Sequence, residues 1–252
     1  MKRLATLVAT LVLLAPGAAG AATATFGNLG DTSTNDVAIA TGAFTPGSGD
    51  LLVAFGACTG QSGGGTFTDS QSVGFTAATC SLLNASLDTV CVAVGLAAVS
   101  ATSTTVTFTP AGAPTSTGAS VAAYYVSGMS LFGAAAIRQT IGQGNQAAGG
   151  TPAPAFIGAA LTDNPTFGVV GNRSNPAGIS APTGWTEGSD SGHSAPNAGL
   201  ETVFRNSDFT GTTITWGGTS ATAFGDVIIE LDTTVPSTGP PTGTLSSMGA
   251  GR

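Results

Sequence analysis

Thr104-Thr105-Val106-Thr107-Phe108 and, in the second half of the chain, Thr212-Thr213-Ile214-Thr215-Trp216 alternate hydroxyl and apolar side chains. Successive side chains of an extended strand point to opposite sides, so a period of two describes a strand with one wet and one dry face. Working outward, short apolar or alternating runs recur at Val37 to Ala40, Asp50 to Ala57, Thr66 to Thr68, Thr89 to Val99 and Ala119 to Val126. They recur again at Thr166 to Gly171, Gly184 to Glu187, Leu200 to Arg205 and Phe224 to Leu231. Gly, Pro, Asn or Ser bound each run, and no segment carries a helical repeat. Many short strands between glycine-rich turns predict an all-β chain, an antiparallel β-sandwich of jelly-roll-like type.

The two halves echo each other. Phe44 followed by Asp50 to Gly56 has its counterpart in Phe156 followed by Asn164 to Gly171, and Ala119 to Val126 has its counterpart in Gly225 to Leu231. A duplication and a merely shared strand order both produce such an echo. Each half, about 23–135 and 136–235, offers about five strands, enough for one sheet of a single sandwich or for a small unit closed on itself. Gly142 to Pro154, rich in Gly, Gln, Ala and Pro, reads as the joint. A single sandwich is the expectation, because five-stranded units with small cores are hard to stabilise alone. The stretch 236–252 has little to bury and reads as a flexible tail.

Residues 1–22 read as a secretory signal: Lys2 and Arg3 precede the apolar Leu4 to Leu14, and small residues follow up to Ala22. The apolar stretch falls short of the roughly 20 residues that span a bilayer, and no later run reaches that length. The chain after it keeps four arginines, Arg138, Arg173, Arg205 and Arg252, against 13 carboxylates, an excess of nine negative charges. Such a balance argues against nucleic acid as a partner, since that binding uses clustered cations to neutralise phosphates. Without a lysine there is no Schiff-base or P-loop chemistry.

Three cysteines follow the signal. In an oxidising compartment Cys80 and Cys91, which enclose ten residues and lie on either side of a connecting loop, are the favoured pair, worth about 3 kcal/mol through loop closure. Cys58 is left as a buried small hydrophobe or an intermolecular thiol. No C-x-x-C occurs and His193 is the only histidine, so neither a metal site nor a cofactor is expected.

Catalytic signatures are thin. Gly60-Gln61-Ser62-Gly63-Gly64 satisfies G-x-S-x-G, but the nucleophile elbow needs a helix after the serine and here more glycine follows. His193 lies in Ser189-Asp190-Ser191-Gly192-His193-Ser194, read as a polar turn. Paired-carboxylate chemistry would need Asp69, Glu187, Asp190 and Glu201 to converge.

Aromatic rings that stack on sugars, with carboxylates to fix hydroxyls, are the alternative to chemistry. Trp185, Tyr124 and Asp69 are the candidate ligand-binding residues, with Tyr125 and Trp216 behind them. Trp216 reads as core, and the adjacent tyrosines face opposite ways, so that one of them is expected in the core. Asn84-Ala85-Ser86 and Asn172-Arg173-Ser174 are glycosylation sequons.

Phe67-Thr68-Asp69-Ser70-Gln71-Ser72-Val73-Gly74-Phe75 and Tyr124-Tyr125-Val126-Ser127-Gly128 resemble elements of β-sandwich modules in bacterial surface proteins. Pro182-Thr183-Gly184-Trp185-Thr186-Glu187 and Gly225-Asp226-Val227-Ile228-Ile229-Glu230-Leu231 are similar to segments of phage structural and receptor-binding proteins. The resemblance implies presentation, adhesion or particle assembly, and carries over no active site. The expectation is therefore a non-enzymatic, exported structural or surface protein, extracellular or on a cell surface or virion, whose partners are its own subunits or other surface proteins. A secreted carbohydrate-binding module, with glycans as partner, is the alternative. A glycan- or ester-acting hydrolase is the remote third.

Overall fold

Leu51-Leu52-Val53-Ala54-Phe55-Gly56-Ala57-Cys58 is uncharged throughout, and every position is buried. A strand with one wet face cannot have that pattern, so this one must be covered on both sides. The computed structural model shows how. It describes residues 21–233, except 33, 35–37, 60–63, 85–87, 96–98, 112–117, 175–177 and 195–196.

The chain is all-β. In the first half, strands β1 (Thr23–Thr32), β3 (Leu51–Cys58), β5 (Phe75–Asn84), β6 (Asp88–Gly95) and β8 (Ala119–Ser127) form one antiparallel sheet, ordered β1-β8-β3-β6-β5. In the second half, β9 (Ile137–Gln146), β10 (Thr166–Asn172), β11 (Thr186–Ser194), β12 (Asn197–Arg205) and β13 (Phe224–Leu231) form another, ordered β9-β13-β10-β12-β11. Counted within its own half, each sheet has its first, fifth, second, fourth and third strands side by side. The echo between the halves is thus one of topology, and each half supplies one sheet of a single sandwich. A short 3-10 turn, Gly133–Ala136, leads from the first sheet into the second.

The sheets pack face to face on a core drawn from both halves, including Leu51, Phe55, Val92 and Tyr124 from the first and Phe167, Leu200, Val227 and Ile229 from the second. Two outer layers complete the stack. On the free face of the first sheet lies a three-stranded sheet of β2 (Ile39–Ala40), β7 (Val106–Pro110) and β4 (Gly65–Asp69), ordered β2-β7-β4, with Phe67, Val106 and Phe108 packed on Leu52, Ala54 and Ala93. On the free face of the second lies an irregular cover, whose Phe156, Ile179, Phe209, Ile214 and Trp216 pack on Val170, Val203 and Ile228.

The two opening sequence stretches occupy corresponding places in these outer layers. Phe44 exchanges backbone bonds with Thr104, and Phe156 donates to Thr212. Val106–Pro110 becomes a strand as expected, but Thr212–Trp216 does not. Its neighbour supplies the reason: Ile214 and Trp216 donate to the carbonyls of Pro154 and Pro152. A hydrogen-bonded antiparallel pair returns each bond, and proline has no N–H with which to do so.

Four further segments differ from the sequence expectation. β1, β5 and β9 were not foreseen as strands, and Gly142 to Gln146, expected in the joint, is the end of β9. Ser189 to Ser194, expected as a polar turn, belongs to β11. All four are edge strands, paired on one side only, so they carry the Gly, Gln and Ser that also mark turns. Across the sandwich, β9 lies close against β5: a Cβ at Gly144 would sit 2.8 Å from the backbone N and O of Leu82.

Cys80 and Cys91 form a disulfide, and they are register partners on β5 and β6. Cys58 is buried and outside that bridge. Residues 1–20 of the signal stretch, the tail and Ser62 lie outside the described residues, whereas Ala22, the last residue of that stretch, is buried in the central core.

Candidate functional site

Asp69 closes β4, and its carboxylate serves its own turn. Oδ1 accepts from the N–H groups of Gln71 and Val73, and Oδ2 from Gly74. Ser72 takes a positive φ within that turn. Gln71, thus positioned, donates to the carbonyls of Ser100 and Thr102 and ties the turn to the next loop. Beside it lie two shallow cavities, one of about 200 Å³ lined by Phe67, Phe75, Ala77 and Ala93, the other of about 170 Å³ lined by Thr68, Asp69, Ser72 and Gly74.

Tyr124, a candidate ligand-binding residue, is corrected by the structure. It is fully enclosed between the sheets, among Phe26, Phe55, Phe167 and Phe204, and its hydroxyl meets Thr202. Burial holds the phenol protonated well above its usual range. The hydroxyl fits because Gly188, at the bulge of β11, has no Cβ to collide with it. Tyr125 faces the other way yet is also packed, stacked on Phe44, because both faces of this sheet are covered.

Trp185 is half-buried, with its ring edge-on to Phe209 at 5.1 Å and the second sheet's cover beneath it. A Cβ at the preceding Gly184 would lie 3.6 Å from the Arg205 guanidinium. Trp216 is core, as the sequence indicated. Asn172, in the second sequon, is fully buried with its amide donating to Ser220, so it is closed to glycosylation.

Of the four carboxylates named for convergence, Asp69 lies in the outer layer of the first sheet. The other three share a corner of the second sheet. Asp190 and Glu201 are register partners on β11 and β12, and Glu187 follows one bulge away. His193 is also on β11, paired with Ala198.

The charges that sequence reading missed lie on β12 and β13. Glu201, Asp226 and Glu230 are all fully buried on the covered face of the second sheet. Glu230 is well served: Arg138, Gln139, Asn164 and the Leu161 N–H all donate to it. Glu201 and Asp226 have no hydrogen-bond partner on either oxygen among the described residues. Both are register partners of Val170, so the three side chains stand in one row across the sheet. Burial, helped by Asp190 and Glu187, pushes Glu201 up to about 8, and burial pushes Asp226 up to about 7 against the backbone of Gln143. Near neutral pH these are protonated or half-protonated acids rather than two carboxylates. A period-two reading of Phe224 to Leu231 places both acids of β13 on one face, which was the available signal, but it does not say that the face is covered.

No group of three or more His, Cys, Asp or Glu among the described residues has the geometry to hold a metal ion. In comparisons with known proteins, no family model and no curated protein matches this chain.

Proposed function

We propose that this is an exported, non-catalytic structural or surface protein, a subunit or accessory component of a cell-surface or virion assembly. The observation that carries the reading is the use the fold makes of its binding-type side chains. Asp69 is occupied by three backbone donors, Tyr124 by the core and Asn172 by Ser220. The cavities beside Asp69, at about 200 and 170 Å³, are smaller than the 300–1,000 Å³ common for small-molecule sites. The disulfide is compatible with an extracellular setting, where such bonds persist. The low charge of the chain, 8% of residues, suits close-packed surfaces.

A carbohydrate-binding module is favoured by one observation, the half-buried Trp185, whose ring is held edge-on by Phe209. Light scattering coupled to size-exclusion chromatography, then a glycan array on the eluted species, separates the two. A discrete assembly without glycan binding is the expected outcome. A glycan-binding monomer that loses binding in Trp185→Ala would replace it with the adhesion module.

A further inference from the structure

The cover on the second sheet encloses two carboxyl groups, Glu201 and Asp226. Three of its contacts are one-way backbone bonds, Phe156 to Thr212, Ile214 to Pro154 and Trp216 to Pro152, the last two to prolines that cannot return them, while Ser180 and Gly217 exchange both. Under it, Glu201 and Asp226 flank Val170, and among the described residues no side chain bonds their oxygens, although the Gln143 backbone faces Asp226; the Trp216 indole N–H is buried without a partner among the same residues. Buried polar groups are nearly always hydrogen-bonded, so a pair of buried acids like this calls for a physical account.

We propose that Glu201 and Asp226 form a proton-operated latch. With both carboxyls protonated the cover seats on the second sheet, and when they ionise the cover lifts and water reaches them.

The surroundings make ionisation the unlatching step. Toward Glu201 face Asp190 and Glu187 from β11, both of its own sign, and Asp226 stands beyond Val170. Arg205 is four residues further along β12 and donates to the Ser207 carbonyl. Toward Asp226 face the Gln143 backbone from β9 and, four residues along β13, Glu230, whose charge Arg138 already balances. The cover brings Phe156, Ile179, Ile214 and Trp216 against this face, none of them charged. Among the described residues no cation pairs with either carboxyl, so a carboxylate formed here draws chiefly on water for compensation. This inference concerns the fold's response to protons and stands whether the protein is a subunit or a glycan binder.

The chain's two tryptophans, Trp185 and Trp216, both belong to this cover, so their emission reports on it alone. Expected on raising the pH from 5.5 to 9.5 is a reversible red shift with a midpoint between 7 and 8, absent in the Glu201→Gln, Asp226→Asn double variant. Emission that stays constant in the wild type, or a double variant that titrates like it, overturns the latch. Should the double variant not fold, hydrogen exchange of the wild type decides, corrected for the intrinsic pH dependence. The amides of Phe156, Ile214 and Trp216 are expected to lose at least tenfold in protection between pH 6 and 9 while those of Leu51–Cys58 keep theirs. Equal loss, or none, refutes the proposal.

Discussion

Glu230 and Glu201 stand on the same face of one sheet, and their neighbours give them opposite characters. Glu230 accepts from Arg138, Gln139, Asn164 and the Leu161 backbone, and so fixes the loop that precedes β10. Glu230→Ala leaves those donors without an acceptor and is expected to cost about 3 kcal/mol, the low end for a broken buried pair because Arg138 keeps access to water. A urea titration of the variant measures it. Tyr124→Phe removes only the bond to Thr202, and about 1 kcal/mol is expected in the same assay. For Glu201 and Asp226 the sign runs with protons. Their folded-state values, about 8 and about 7, lie above the ordinary 4.5 and 3.8, so the folded state holds protons that the unfolded state releases. Their contribution is complete below about pH 4 and is lost as pH rises through 7 to 8. The melting temperature is therefore expected to fall between pH 5.5 and 8.5, with a shallower fall in the double variant Glu201→Gln, Asp226→Asn.

Among elements, the inner strands β3, β10 and β13 are buried at every position, whereas the edge strand β9 is half-wet along its whole length. That contrast explains what could be read in advance. These three appear as apolar runs whose bounds follow from the sequence to within a residue, while β6 and β12 differ from the expected bounds by three or four residues at one end. β5, β9 and β11 carry Thr, Ser, Gln and Gly, the residues of turns, and become strands only because an apolar neighbour offers a row of backbone partners. The disulfide joins one such edge to the interior, Cys80 on β5 to Cys91 on β6. Reducing it, or Cys80→Ala with Cys91→Ala, is expected to cost about 3 kcal/mol through the unfolded chain, seen as a lowered thermal midpoint under reductant. Loss of β5 edge protection in hydrogen exchange should accompany it, with β3 unaffected.

For the whole molecule, the decisive fact is that the central core takes side chains from both halves. Each sheet alone would expose one broad apolar face, including Leu51, Phe55 and Tyr124 on one side and Phe167, Val227 and Ile229 on the other. Burying such residues is worth roughly 1.5–3 kcal/mol each, a large share of a domain's net stability. Fragments 21–135 and 136–233 are therefore expected to lack a cooperative thermal transition when made separately, while the joined chain melts in one step. Calorimetry on the three proteins tests this. The common strand order of the halves gives them matching shapes, and the shared core makes them one folding unit.

Local patterning by itself determined that the chain is all-β, where the inner strands β3, β10 and β13 lie, and that the halves echo each other, and it favoured the Cys80–Cys91 pair that the structure shows. These follow from period, turn residues and spacing, which are properties of neighbours along the chain. The tertiary structure alone decided that both faces of each sheet are covered, and with it the burial of Tyr124, Glu201 and Asp226. Burial is a property of what lies across the sheet, and a sequence period of two names a face without naming its occupant.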